Sequence, residues 1–333
     1  MRNIIIAPDS FKGTLEAQEI CNIISKVVYQ YIPQAEITCI PMADGGEGLV
    51  SSYLQQFGGE RMREKVTGPS GKEVFSEYGI LDGYTAVVEM ASCAGLPLME
   101  NHLDPMHATT YGVGELIRKI ADSGIRKILI GIGGSATNDM GIGMAAALGY
   151  RFYDGNWEEV EPMAYNLGKI EHIRRPEKEL DISITVACDV DNPLCGPNGA
   201  TYTFGRQKGV LEDQMEELDR CVEHMASVLQ KEFGIDVRQI PGAGAAGGLG
   251  AALLVFLKAE LKSGIELFLD TIHFDELLKK ADLVFTGEGR IDWQSVAGKV
   301  PVGISKRARR AGVPCVALCG SVGNRAELAY ENG

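Results

Sequence analysis

Apolar and polar positions along the chain alternate between two periods, and the switches mark its elements. Residues 3–7 form a short continuous apolar run, with Ile4, Ile5 and Ile6 at its centre. That run predicts a buried strand, broken by Pro8, Asp9 and Ser10. From residue 14 to 31 the apolar positions Leu15, Ile20, Ile23, Ile24, Val27 and Val28 recur at helical spacing. Thr14 is the expected N-cap, Glu16 places a negative charge in the first turn, and Ala17 at the third position rules out a capping box there. Pro33 ends this helix and residues 37–40 form the next strand. The resulting β-α-β unit predicts a parallel sheet with a right-handed crossover. A helix over 49–57 closes on Gly58 and Gly59. The texture then changes to period-two alternation over 72–78 and 85–89, read as antiparallel strands of a different domain.

Further along, the pattern predicts a helix over 112–123, a strand over 127–132, a glycine-rich loop and a helix over about 139–148. A strand over 182–187, a long amphipathic helix over 211–233 and a Gly/Ala-rich segment that turns helical over 242–262 follow. A strand over 283–285, a helix over 303–311 and a strand over 313–318 return to the α/β texture of the first sixty residues. The simplest organisation is a discontinuous first domain with the middle of the chain inserted into it.

Length agrees, because 333 residues exceed one ordinary core. With 45% hydrophobic and 23% charged residues the chain can bury such cores. The net charge of −13 argues against a nucleic-acid partner, and any anionic substrate must be drawn in by local Lys, Arg and backbone N–H groups. Eight cysteines form no C-x-x-C pair and lie in apolar segments, as buried thiols of a reducing compartment do. The five histidines are too dispersed for a zinc site. No signal-peptide core and no apolar stretch of bilayer length is present, so a cytoplasmic protein without membrane partners is expected.

Six polar-and-glycine clusters sit after predicted strands, where ligands bind in parallel α/β sheets. Residues 8–13 group Asp9, Ser10 and Lys12 into a carboxylate, a hydroxyl and an ammonium; a solvated turn is the alternative. Residues 44–48 place Asp44 and Glu47 among glycines, suited to metal or substrate hydroxyls or to a plain turn. Residues 131–139 join a strand to a helix through Gly133, Gly134, Ser135, Ala136, Thr137, Asn138 and Asp139. Backbone N–H groups, two hydroxyls and a helix start there favour an anion such as the phosphates of ATP. The G-x-x-x-x-G-K-[ST] pattern is absent, although Gly131, Gly133 and Ala136 fit the looser G-x-G-x-x-A.

Asp189 and Asp191, two apart at a strand end before Pro193, can hold Mg²⁺ or take the proton of a hydroxyl nucleophile, or simply make Asx turns. Gln207 and Lys208 follow with an amide and a cation. Residues 241–248 are small enough to cradle a ligand or to pack a helix closely. Residues 286–292 carry Glu288, Arg290 and Asp292, with Gln294 and Lys299 downstream. Arg290 can clamp a carboxylate or pair with Glu288.

Seven stretches in order resemble the glycerate kinase type 1 family: APDSFKGTL at 7–15, PMADGGEG at 41–48, GIGGSATND at 131–139, ACDVDNPLCG at 187–196, QKG at 207–209, PGAGAAGG at 241–248 and TGEGRID at 286–292. The resemblance covers nearly the whole chain. It implies ATP- and Mg²⁺-dependent phosphorylation of D-glycerate, usually to 2-phosphoglycerate. It also implies two α/β domains with the active site in the cleft between them: a Rossmann-like one from residues 1–66 and 265–333, and a mixed α/β one over 67–264. One departure is that the chain stops at Gly333, where family members usually run on through another strand and helix. The departure removes none of the seven stretches.

On this reading residues 133–139 hold ATP, and Asp189 and Asp191 bind Mg²⁺ or act as base. Lys12, Lys208 and Arg290 neutralise the carboxylate or the transferring phosphoryl group. Asp9, Ser10, Asp44, Glu47, Glu288 and Asp292 contact substrate. Homodimerisation is left open. A dinucleotide-dependent oxidoreductase and a non-catalytic paralogue that binds a small organic acid are the competing readings.

Overall fold

Parallel strands buried on both faces need helices to cover them, and the alternation of short apolar runs with amphipathic helices meets that need twice. A computed structural model of the chain describes residues 2–11, 14–42, 48–99, 102–292, 295 and 299–331. Its contacts fall into two units: residues 1–48 with 263–333, and residues 49–262. The N-terminal segment of the first unit is therefore shorter than the expected 1–66. The helix Leu49–Phe57 packs on strands of the second unit, and Glu60–Thr67 is a strand of that unit's sheet, an element that its charged alternation hid from the sequence reading.

In chain order the strands are β1 (Asn3–Pro8), β2 (Glu36–Cys39), β3 (Glu60–Thr67), β4 (Glu73–Ile80), β5 (Thr85–Glu89) and β6 (Lys127–Gly131). They continue with β7 (Arg151–Tyr153), β8 (His172–Arg174), β9 (Ser183–Ala187), β10 (Glu260–Lys262), β11 (Leu283–Ile291) and β12 (Cys315–Val322).

The first unit holds a parallel sheet of order β12-β11-β1-β2. Its chain crosses from β1 to β2 in one direction and from β11 to β12 in the other. The paired carboxyl ends of β1 and β11, with Pro8 opposite Gly287, therefore flank a topological switch point. Ile4 and Ile6 pack against Ile20, Cys21, Ile24 and Val28 of the helix Ala17–Tyr31. That helix starts at Ala17 rather than Thr14. Thr14 instead closes a tight turn, its N–H donating to Phe11 O at 2.8 Å. The N-cap is Glu16, whose N–H is taken by the Glu19 carboxylate at 3.0 Å, so the register of the first turn is set by Glu19.

The buried guanidinium of Arg307, on the helix Val300–Arg310, meets Glu266 at 2.5 Å and Asp270 at 2.6 Å, tying that helix to the neighbouring helix Gly264–Thr271.

The second unit holds a six-stranded sheet of order β10-β9-β6-β5-β4-β3, parallel from β10 to β5 and antiparallel at β4 and β3, beside a small β7-β8 hairpin. Ile128, Ile130, Val186, Leu116, Ile117 and Ile120 are among its fully buried core side chains. The strand pattern read over 72–78, 85–89, 127–132 and 182–187 is present with ends shifted by a residue or two. The helix expected from about 139 is only Ile142–Ala147.

Among the described residues no helix is long and apolar enough to cross a membrane.

Candidate active site

Each unit gathers polar groups at the carboxyl ends of its parallel strands. In the first unit the Asp9 N–H donates to Gly287 O at 2.8 Å, extending the β1–β11 ladder by one residue, and its carboxylate accepts the Ser10 N–H at 2.7 Å. Asp9 and Glu288 are each only 5% exposed. Glu288 accepts the Ser295 hydroxyl and lies 3.5 Å from the Lys299 ammonium. Arg290 pairs with Asp292 at 3.2 Å, not with Glu288, and its side chain stays 63% exposed. The Asp292 side chain is only 13% exposed, so the exposed guanidinium is anchored on a largely buried carboxylate.

Asp9, Ser10, Phe11, Glu288, Arg290 and Lys299 border a cavity of about 430 Å³ at the β1/β11 switch point. It offers carboxylates for hydroxyl groups and two cations for a carboxylate, the donor set a small hydroxy acid requires. Lys299, noted in the sequence only as lying downstream, joins this set through its contact with Glu288. Lys12, Asp44 and Glu47 lie outside the described residues.

In the second unit Glu89, Gly131 and Ala187 are neighbours across β5, β6 and β9, so the loops that follow leave one edge of the sheet. Gly133 and Gly134 are exposed, while Ser135 to Asp139 turn inward and are buried. Lys208, 2% exposed, comes from the C-terminal turn of the helix Ala200–Lys208 and enters this loop from below. Its ammonium donates to Thr137 O at 2.7 Å and to Ser135 Oγ at 3.3 Å. Burial pushes this amine down to about 7, with Asp139 pulling the other way. The structure thus brings together Lys208 and the glycine loop, residues 71 and 73 positions apart in sequence.

Asp139 has a different place from the one expected. It is fully buried, and its carboxylate accepts the Thr110 N–H (2.9 Å) and hydroxyl (2.8 Å) and the Gly141 N–H (3.0 Å). With those bonds filled, Asp139 holds the loop's far end to residues 110 and 141 rather than facing a ligand. Burial raises its pKa and these hydrogen bonds oppose the rise. Asn138 is likewise fully buried, giving its amide N–H to Thr201 Oγ1 at 3.2 Å. Ala136 donates its N–H to Ala94 O. Of the expected 133–139 set only Gly133 and Gly134 are exposed; the Ser135 hydroxyl is buried and accepts from Lys208 and from the Thr137 N–H. The short helix that follows starts only at Ile142, so the exposed glycines do not lie at its terminus.

The 241–248 segment packs rather than cradles. Gly247, at φ +67°, lies so close to the loop that a Cβ there would stand 2.1 Å from Thr137 O, and Gly247 O accepts the Met140 N–H.

Asp189 and Asp191 are exposed on the loop after β9. Among the described residues no group of three or more His, Cys, Asp or Glu gathers. Two carboxylates nevertheless fit Mg²⁺, which keeps several waters and takes one or two carboxylates together with substrate phosphates. Sequence reading gave Glu89 no role. Its only signal was an acid closing the apolar strand Ala86-Val87-Val88.

Comparison with known proteins gives the family of the chain. The glycerate kinase family model matches residues 4–333. A glycerate kinase of Halalkalibacterium halodurans is 46% identical over the whole of this chain and 89% of its own length. The glycerate 2-kinase of Escherichia coli K12 is 44% identical over 99% of this chain and 88% of its own. The crystal structure of a chain assigned as glycerate kinase 2 from Salmonella typhimurium LT2 superposes with a TM-score of 0.84 at 38% identity, covering 100% of this chain and 95% of that one. These matches leave the oxidoreductase reading without support: the chain belongs to the glycerate kinase family, a family of phosphotransferases.

Proposed function

We propose that the protein transfers the γ-phosphoryl group of ATP to a hydroxyl of D-glycerate, giving 2-phosphoglycerate and ADP. The observation that carries this reading is the Lys208 ammonium held on Ser135 and Thr137 beneath the exposed Gly133–Gly134 backbone. A cation and backbone donors at strand ends are what a polyphosphate needs. The E. coli relative, named a 2-kinase, supports the regiochemistry.

In this reading Gly133, Gly134, Ser135 and Lys208 bind the nucleotide phosphates. The cavity bordered by Asp9, Ser10, Glu288 and Arg290 receives the acid, with Lys12, Asp44, Glu47 and Asp292 as further contacts. The substrate hydroxyl oxygen attacks the γ-phosphorus, the bond to the bridging oxygen of ADP breaks, and one of Asp189 and Asp191 takes the hydroxyl proton. Mg²⁺ held by these aspartates would neutralise phosphate oxygens. Eight free thiols accord with a cytoplasmic setting, and the negative net charge with small-molecule rather than nucleic-acid partners.

The test is ADP release with ATP, Mg²⁺ and D-glycerate, with L-glycerate and glycolate as controls and phosphorus NMR of the product. Release specific to D-glycerate is expected, falling at least a hundredfold in Asp189→Asn with the fold intact. Near-normal turnover in that variant removes Asp189 from the chemistry. Ligand binding without turnover in the wild-type protein identifies the non-catalytic alternative.

A further inference from the structure

Glu89 ends β5 with a carboxylate oxygen, Oε1, that is buried and has no hydrogen-bond partner among the described residues. Buried carboxylate oxygens are rarely left so, because desolvation without a donor is costly; such an atom calls for an explanation. The surroundings supply one. Glu89 stands opposite Gly131, the last residue of β6, and the chain after it runs along the glycine loop. Met90 N–H donates to Gly131 O (2.9 Å), Leu96 N–H to Gly134 O (2.9 Å), and Ala136 N–H to Ala94 O (2.9 Å). Gly134 sits so close to Ala91 that a Cβ on it would be 3.3 Å from the Ala91 methyl. The unpartnered oxygen is therefore at the carboxyl end of the strand beside the one that carries the exposed Gly133–Gly134 turn. In doubly wound nucleotide folds an acidic side chain near the glycine loop accepts the ribose hydroxyl while the loop holds phosphate.

We propose that Glu89 accepts a hydrogen bond from a ribose hydroxyl of the nucleotide bound at this loop. The inference rests on the nucleotide reading of residues 133–135 given above. It adds a nucleotide-specificity residue on a different strand from the phosphate contacts.

The experiment measures kcat/KM for ATP, 2′-deoxy-ATP and 3′-deoxy-ATP in the wild-type protein, Glu89→Gln and Glu89→Ala, with thermal unfolding as the fold control. A hydrogen bond to a charged acceptor predicts that the wild-type protein loses roughly 10- to 100-fold on one of the two deoxy nucleotides. Glu89→Ala should lose a similar factor with ATP and almost nothing more with that deoxy nucleotide. Glu89→Gln, which keeps a carbonyl acceptor, should recover part of the loss. A Glu89→Ala loss equal for all three nucleotides overturns the proposal, as does a rise only in the KM for glycerate or in the Mg²⁺ requirement. Calorimetric ATP binding to Gly134→Val separates the two levels of the argument. Unchanged affinity there removes the nucleotide from the loop. Weakened affinity with no coupling between Glu89 and the ribose hydroxyls sinks the Glu89 assignment alone.

Discussion

At the scale of single residues, Lys208 shows how burial converts a solvated cation into a titratable one. Its amine ordinarily holds its proton to 10.5, but in the folded chain burial lowers this to about 7. Between those values the unfolded chain binds more protons than the folded one, so stability rises with pH across that window and the cost of burying the charge is fully present below it. We expect the wild-type protein to gain about 2 kcal/mol in unfolding free energy between pH 6.5 and 8.5, and Lys208→Met to show no such rise. Urea titrations at the two pH values check this; an equal rise in both proteins would assign the dependence to other groups. Of the site residues, Lys208 was legible as a cation next to a small motif. Its place among Ser135 and Thr137 was not, because that contact spans about seventy positions. Asp139 is the opposite case: a carboxylate in a glycine-rich stretch reads as a ligand contact, and only the positions of Thr110 and Gly141 show that its oxygens accept from its own chain.

At the scale of elements, periodicity located most helices and strands, and tertiary contacts set their ends. The helix Tyr111–Asp122 is an example. Its apolar stripe is plain in sequence, but its docking on β3 depends on Gly112, where a Cβ would lie 1.9 Å from Thr67 O. It depends also on Glu115, whose carboxylate accepts the Thr67 N–H at 2.6 Å. Gly112→Ala should cost about 2 kcal/mol, since the obstacle is backbone and cannot rotate away. Chemical denaturation measures it, and a loss under about 0.5 kcal/mol would show that the helix slides freely on β3. β3 itself escaped the sequence reading because five of its eight residues are charged, and a strand of that composition carries little hydrophobic signal. Arg307 was equally invisible. Nothing in the local pattern separates it from Arg309 and Arg310, which stay exposed, until Glu266 and Asp270 are placed around it.

At the scale of the whole molecule, each unit has its own core and its own cluster at strand ends. If the nucleotide and the acid divide between the clusters as proposed, each ligand alone should leave a separate mark in amide hydrogen exchange. Nucleotide should slow exchange at residues 131–137 and 89–96, and D-glycerate at residues 9–11 and 286–292. Protection of 286–292 by nucleotide alone would reverse the assignment.

What the sequence by itself determined is the family, through seven ordered stretches, and the α/β class, through the local alternation of apolar runs with amphipathic helices. Both are written in short windows, where side-chain period and turn chemistry act between near neighbours. Only the tertiary structure decided where the units divide and which acids are occupied by their own chain. It alone brought Lys208 into the glycine loop and left one oxygen of Glu89 without a partner among the described residues. These are outcomes of burial and hydrogen-bond satisfaction among residues far apart in the chain, and no local pattern encodes them.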